Sequence, residues 1–172
     1  MKKILMSMLV IALSATTIFS QSNHKKGAKM KNDATKEIAL DLSKSIMNGQ
    51  WDKVDALLDD NFVYIGDGQP AINKQQYIYF MKEILSKGFT KMDMQFHRVL
   101  QDGDMVAVDY TNMMTNSGEY FGIPATGKRI ASTGQFMRQI KNGKVVAEWQ
   151  TTNSYGMMIQ LGVIPPPKKI IK

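Results

Sequence analysis

The chain contains no cysteine and only two histidines, His24 and His97, among its 172 residues. The absence of cysteine excludes disulfides, thiol catalysis and thiolate metal ligands, so packing alone must hold the fold together. A zinc site is not expected, because neither histidine has a second one nearby. Serine-hydrolase, P-loop and dinucleotide-binding motifs are missing as well. The residues therefore give no indication of a zinc site, a P-loop nucleotide site or a dinucleotide cofactor.

The excess of positive charge, +7 overall, lies at the two ends of the chain. Residues 33–167 hold 13 of the 22 basic residues and all 15 acidic ones. A nucleic-acid-binding protein would instead carry a basic patch on the fold itself. We therefore expect no nucleic-acid partner.

The start of the chain has the pattern of a secretory signal peptide. Two lysines precede an apolar run from Ile4 to Ala15, which is shorter than the ~20 residues of a membrane span. Export with cleavage before Gln21 would release the protein into the periplasm or the medium without integral membrane contact. The alternative is that the segment stays uncleaved and acts as an anchor. The predicted boundaries are a signal peptide at residues 1–20, a disordered basic spacer at 21–32, one domain at 33–167 and a basic tail at 168–172.

Hydrophobic periodicity and turn signals in the domain predict the order α-α-β-α-β-β-β-β. The third helix begins after a capping Asn73 and ends at Gly88. Asp102-Gly103 and Asn142-Gly143 are typical of hairpin turns. The four strands after this helix are predicted at residues 91–100, 105–115, 129–140 and 144–153. This order predicts an α+β fold, a cone-shaped barrel in which a curved antiparallel sheet wraps around N-terminal helices and encloses an interior pocket.

Four stretches of the sequence carry a family resemblance: residues 122–128 (GIPATGK), residues 142–144 (NGK), the pair Glu148-Trp149, and residues 156–162 (GMMIQLG), which end in QLG. Together they resemble the SnoaL-like polyketide cyclase, or ester cyclase, family of the nuclear transport factor 2-like superfamily. The resemblance covers residues 34–166 and implies the cone fold, a homodimer, and chemistry without metal or cofactor. It also implies a pocket aspartate that acts as general acid on a small hydrophobic substrate.

The chain departs from the family where that acid is expected. Asn153 occupies its position. The Asn153 amide cannot release a proton, but it could take part in catalysis by polarising a carbonyl group. The alternative is that Asn153 has a structural role and shapes the turn to Ser154. The resemblance implies that Asn153 and Trp149 share the strand face that lines the pocket. Asp109 is the best remaining acid. If buried, it would have a raised pKa and could act as acid or base; if exposed, it would pair with a basic residue on the next strand.

Two further departures remove titratable groups: Ile65-Gly66 and Asn116 stand where relatives often place histidines. The candidate site contains no metal ligands. Its catalytic candidates are Asn153 and Asp109, and its ligand-binding candidates are Trp149, Tyr64, Tyr110, Asn112 and Gln135.

Several functions remain open at the level of sequence, because one fold hosts many functions. The first is an exported, cofactor-free cyclase, isomerase or lyase that acts on a small hydrophobic carbonyl compound. The alternative is a non-catalytic small-molecule-binding protein that keeps the family pocket without its acid aspartate. The third function is that of a structural module that dimerises through its exposed sheet face. It would be expected if side chains of the protein fill the cavity.

Overall fold

The computed structural model describes residues 34–167. The predicted signal peptide, spacer and basic tail lie outside these residues. The helices are α1 (residues 34–47), α2 (Trp51–Leu57), α3 (Lys74–Tyr79), α4 (Ser86–Gly88) and α5 (Ser154–Leu161), and a π-helical segment, Phe80–Leu85, joins α3 to α4. The strands are β1 (Leu58–Gly66), β2 (Ile72–Asn73), β3 (Phe89–Asp102), β4 (Met105–Asn116), β5 (Arg129–Lys141) and β6 (Lys144–Thr152).

The six strands form one sheet in the order β2-β1-β6-β5-β4-β3. Neighbouring strands are antiparallel except for β1 and β6, which run parallel. The predicted α+β class and both predicted hairpins are confirmed, and the sheet is mixed rather than wholly antiparallel. Hairpins follow from local turn residues, whereas β1 and β6 are distant in sequence, so no local signal announces their pairing.

The turn between β5 and β6 shows how strongly local chemistry acts here. Asn142 and Gly143 adopt φ angles of 51° and 77°. A two-residue hairpin of type I′ requires positive φ at both central positions, and asparagine and glycine tolerate it best. The turn therefore fixes where β5 ends and where β6 begins.

A bulge in β6 decides which of its side chains face the interior. Ile140 pairs with Val145 and Gln139 pairs with Ala147, which leaves Val146 as an extra residue in β6. Side chains alternate along a strand, so one extra residue reverses the alternation beyond it. After the bulge, the even-numbered positions of β6 face inward.

The main core lies between the helices and the inner face of the sheet. Leu42 of α1 is fully buried and belongs to one cluster with Val108 of β4 and Phe136 of β5. Burying a side chain of this size stabilises the fold by about 1.5–3 kcal/mol.

Helix α3 is held by a capping box, in which Asn73 accepts from the backbone N–H of Gln76 and the Gln76 side chain accepts from that of Asn73, each at 3.0 Å.

The long loop between β4 and β5 is held by the side chain of Asn116, which is fully buried. Its amide nitrogen donates to the carbonyls of Gly88 and Gly118 at 3.1 and 2.8 Å. Its oxygen accepts from the backbone N–H and the hydroxyl of Thr126 at 2.7 and 2.9 Å. Asn116 therefore organises the GIPATGK loop.

Among residues 34–167, no helix combines the length and the apolar character that crossing a membrane requires.

Candidate functional site

An interior cavity of about 100 Å³ lies between α1, the π-helical segment and the inner face of the sheet. Its volume is below the roughly 150 Å³ of an apolar cavity that holds benzene. A ligand of this cavity must therefore be small unless the walls move. The lining residues are Ser43, Ile46, Met47, Tyr64, Asp67, Tyr77, Phe80, Met81, Leu85, Met94, Tyr110, Asn112, Met114, Tyr120, Ser132, Phe136, Arg138, Glu148, Gln150, Thr152, Ser154 and Met157.

The apolar part of the wall contains five methionines, Met47, Met81, Met94, Met114 and Met157. Methionine is unbranched and polarisable, so it adapts to the shape of what it contacts. The π-helical segment adds further apolar side chains to the same wall, and such segments occur frequently at functional sites. The wall can therefore adjust to ligands of different shape.

The most deeply buried charges of the cavity are an ion pair between Arg138 of β5 and Glu148 of β6. Their side chains are 3% and 1% exposed, and Arg138 Nε donates to Glu148 Oε2 at 2.7 Å. Arg138 also donates to the backbone carbonyl of Ala39 and, at 2.8 Å, to the hydroxyl of Ser43. The Tyr77 hydroxyl donates to Glu148 Oε2 at 3.3 Å. The pair thus connects helices α1 and α3 to the sheet.

The surroundings of Arg138 keep its guanidinium charged. Burial acts to lower the pKa of Arg138, but the charge and the hydrogen bond of Glu148 outweigh that effect, and the pKa is raised. The guanidinium also lies 4.1 Å from the centre of the Phe136 ring, a distance at which a cation is attracted to an aromatic face. Arg138 therefore remains a cation in the interior.

Four tyrosines line the cavity as neutral hydroxyls. Burial, reinforced by the charge of Glu148, raises the pKa of Tyr64 and Tyr77 above the usual value for tyrosine. Burial also raises the pKa of Tyr110, and it raises the pKa of Tyr120 to about 12. Near neutral pH these groups donate hydrogen bonds and do not act as bases.

Two glycines leave room for the rings of Tyr64 and Tyr110. A Cβ atom on Gly66 would lie 2.2 Å from the Tyr64 hydroxyl, and one on Gly134 would lie 2.6 Å from the Tyr110 hydroxyl. The Tyr110 hydroxyl accepts a hydrogen bond from Gln150 Nε2 at 2.8 Å. Gly66, which the sequence showed in place of a common histidine, therefore allows a tyrosine to enter the cavity.

The predicted ligand-binding residues separate into two groups. Tyr64, Tyr110 and Asn112 line the cavity; that they bind a ligand stays a prediction. Trp149 and Gln135 lie instead along a shallow depression on the outer face of the sheet. The predicted facing of Trp149 is wrong, because the bulge at Val146 reverses the alternation of β6.

Neither predicted catalytic residue is among the residues that line the cavity. Asp109 lies on the outer face, where Arg98 Nε donates to its Oδ2 at 3.0 Å. Asn153 caps helix α5, and its oxygen accepts from the backbone N–H of Gly156 at 2.9 Å. Asp109 therefore pairs with a basic residue, as in the second alternative, but its side chain is only 25% exposed and Arg98 lies on the preceding strand, β3. Asn153 matches the alternative of a residue that shapes the turn to Ser154.

The buried charged residues of the cavity, Arg138 and Glu148, were not among the candidates from sequence. A signal was present for Arg138, because it alternates with Phe136 and Ile140 and therefore shares their buried face. No comparable signal existed for Glu148, whose facing depends on the bulge. Within residues 34–167, no group of three or more histidine, aspartate or glutamate side chains could hold a metal ion.

The sequence model of the SnoaL-like polyketide cyclase family matches residues 36–161. This match spans most of the chain, so the protein belongs to the SnoaL-like polyketide cyclase family. No curated protein sequence matches the chain significantly.

Solved structures share the fold at low sequence identity. AclR, a candidate hydroxylase from Streptomyces galilaeus, has a TM-score of 0.73 and 19% identity, over 81% of this chain and 87% of AclR. A candidate SnoaL-like polyketide cyclase from Jannaschia sp. CCS1 has a TM-score of 0.71 and 21% identity, over 79% of this chain and 95% of that one. An LEH-like epoxide hydrolase from M. tuberculosis has a TM-score of 0.63 and 16% identity, over 77% and 92% of the two chains. These similarities establish the nuclear transport factor 2-like cone fold.

Proposed function

We propose that the protein is a cofactor-free isomerase or cyclase that acts on a small neutral carbonyl compound, with Glu148 as the proton acceptor. The observation that carries this proposal is the unequal hydrogen bonding of the two oxygens of the buried Glu148 carboxylate. Its Oε2 accepts from Arg138 and Tyr77, whereas its Oε1 has no hydrogen-bond partner among residues 34–167. An ionised carboxylate only accepts hydrogen bonds or protons. Oε1 is thus the carboxylate atom without a donor, and we assign the role of base to it.

The reaction begins when Glu148 Oε1 takes a proton from the carbon next to the carbonyl group. The C–H bond breaks, and its electron pair forms an enolate. A neutral hydroxyl, from Tyr64 or Tyr110, donates a hydrogen bond to the enolate oxygen as negative charge develops there. In an isomerisation the compound is a β,γ-unsaturated carbonyl compound, so the enolate is conjugated with the C=C bond. Glu148 returns the proton to the γ-carbon, and the double bond moves to the position next to the carbonyl group. In a cyclisation, the enolate carbon attacks a second carbonyl of the same molecule, and the resulting alkoxide takes the proton from Glu148.

The size of the cavity supports the isomerase form of this proposal. A volume of about 100 Å³ suits a compound with a short carbon skeleton, whereas drug-sized ligands use pockets of about 300–1,000 Å³. Closing several rings of a long polyketide would require a much larger enclosure.

The test is exchange of hydrogen for deuterium at the carbons next to the carbonyl of butan-2-one in D₂O, followed by NMR. Positioned acid–base groups contribute about 10²–10⁴-fold to such steps, so Glu148→Gln should slow the protein-dependent exchange by at least about 100-fold. The matched control is Asp109→Asn, which changes a carboxylate on the outer face of the same sheet and should leave the exchange unchanged. Equal exchange by the Glu148→Gln variant, shown by circular dichroism to be folded, would reject the proposal.

The second candidate is a binding protein that has lost catalysis. It is favoured by Asn153, because an amide stands at the family's acid position and serves as a helix cap. In this case small compounds would bind in the cavity, but no exchange above the uncatalysed rate would be seen.

We further propose that the protein forms a homodimer and works outside the cytoplasm. The dimer is supported by apolar side chains on the outer face of the sheet, where Ile65 and Met137 are 39% and 47% exposed. Export is supported by the signal-peptide pattern of residues 1–20. N-terminal sequencing of protein recovered from the periplasm or the medium tests export; a chain that retains Met1 would contradict it.

A further inference from the structure

Two buried acceptor oxygens beside the cavity have no hydrogen-bond donor among residues 34–167: Glu148 Oε1 and Asn112 Oδ1. Both side chains line the cavity, and the two residues are only 1% and 4% exposed. Buried polar atoms in native proteins almost always have a partner, and an unpaired one is costly. Because the two residues that carry these oxygens line one small cavity, a single bound molecule could supply both missing donors.

The orientation of the Asn112 amide follows from its neighbours. Its nitrogen lies 3.6 Å from the sulfur of Met47 and 3.9 Å from the sulfur of Met114. Thioether sulfur is a weak acceptor and carries no hydrogen, so the N–H groups face the sulfurs. The carbonyl oxygen is then the side of the amide that remains for a ligand.

We propose that this cavity also binds a small neutral compound with two hydroxyl groups, such as a short diol, in competition with the carbonyl compound of the proposed function. One hydroxyl donates to Glu148 Oε1 and the other donates to Asn112 Oδ1. This inference rests on the proposed use of the cavity as a binding site, but it does not depend on turnover. The compound is neutral because the two buried charges of the cavity, Arg138 and Glu148, already balance each other, and an ion added beside them would be buried without a partner. Its carbon skeleton is short because the cavity measures about 100 Å³.

The experiment compares three probes with the same four-carbon skeleton: butane-2,3-diol with two donors, butan-2-ol with one, and butan-2-one with none. The full chain is labelled with ¹³C at the methionine methyl groups, since five methionines line the cavity. Titrations followed by methyl NMR give a dissociation constant for each probe. A hydrogen bond to a charged group is worth about tenfold or more in affinity, so we expect the diol to bind at least about tenfold more tightly than the ketone.

Two variants assign the preference to the two acceptors. Asn112→Leu removes one acceptor and keeps the approximate volume, so the diol and the mono-alcohol should bind it equally well. Glu148→Gln can present an N–H group where the carboxylate presented an acceptor, so the ketone should gain affinity relative to the diol. Thr111→Val, on the outer face beside Asn112, is the matched control and should keep the wild-type order. Asn112→Leu keeps the test decisive if Glu148→Gln does not fold.

The outcomes separate this inference from the proposed function. Donor-dependent binding without deuterium exchange supports the diol ligand and rejects catalysis. Exchange of butan-2-one together with equal binding of all three probes rejects the diol ligand and leaves the catalytic proposal standing. Failure of every probe to shift the cavity methionines overturns the inference, as does an unchanged preference in Asn112→Leu.

Discussion

Replacing Arg138 by methionine should destabilise the protein strongly, because it leaves the carboxylate of Glu148 buried without its counter-charge. The Arg138 side chain is 3% exposed, and it makes hydrogen bonds to Glu148, to the Ala39 carbonyl and to the Ser43 hydroxyl. The variant loses all of these contacts at once. Only the Tyr77 hydroxyl, at 3.3 Å, would still donate to the carboxylate.

The expected magnitude follows from the burial of both partners. Removing one member of a buried ion pair costs about 3–5 kcal/mol, whereas replacing both members with apolar residues of similar volume is often neutral or stabilising. Arg138→Met should therefore lower the free energy of unfolding by about 3–5 kcal/mol, a large share of the about 5–15 kcal/mol of a typical domain. The double variant Arg138→Met/Glu148→Leu should recover most of that loss.

Urea unfolding followed by tryptophan fluorescence measures these differences. With a urea dependence of about 2 kcal/mol per molar, a loss of about 4 kcal/mol lowers the unfolding midpoint by about 2 M. The matched control is Arg98→Met on the outer face. Arg98 is 73% exposed and pairs with Asp109, so its loss should cost less than about 1 kcal/mol.

Two results would refute this reasoning. One is a cost for Arg138→Met as small as that of Arg98→Met. The other is additivity, in which the stability lost by the double variant equals the sum of the losses of Arg138→Met and Glu148→Leu. Two residues in contact should instead show an interaction energy of about 0.5–3 kcal/mol.

Three further predictions concern pH, the helix cap and assembly. Stability should be unaffected by the cavity tyrosines below pH 10 and should fall above it, because their pKa values are raised in the folded state, that of Tyr120 to about 12. Above pH 10 the tyrosines of the unfolded chain lose their protons before those of the folded protein. The free energy of unfolding then falls by about 1.4 kcal/mol per pH unit for each tyrosine. Urea unfolding at pH 8 and at pH 11 would detect this loss. Asn153→Asp should change stability by less than about 0.5 kcal/mol, because both residues are good caps, and it should not accelerate deuterium exchange; a clear acceleration would contradict its placement outside the cavity. Met137→Lys should convert the proposed dimer to a monomer in light scattering, whereas a wild-type monomer at high concentration would argue against the dimer.

The amino-acid sequence by itself determined those parts of the fold that depend on neighbouring residues. Asn142-Gly143 specified a tight turn because both residues tolerate positive φ, and Asn73 specified a helix start because its side chain can accept from the first turn. The GIPATGK and QLG stretches indicated the family. Tyr110 and Asn112 were predicted from the sequence as ligand contacts without an assigned face. In the structure they share one face of β4, which alternates strictly because it has no bulge in its pairing with β5.

The tertiary structure alone decided what the cavity contains. A one-residue bulge at Val146 moves Glu148 inward and Trp149 outward, and such an insertion depends on the pairing with β5 rather than on β6 itself. The parallel pairing of β1 with β6 likewise joins segments that no turn connects. The buried acid of the cavity, Glu148, could therefore not be identified from residue types, because facing in a sheet changes with register, and register is set by contacts between strands.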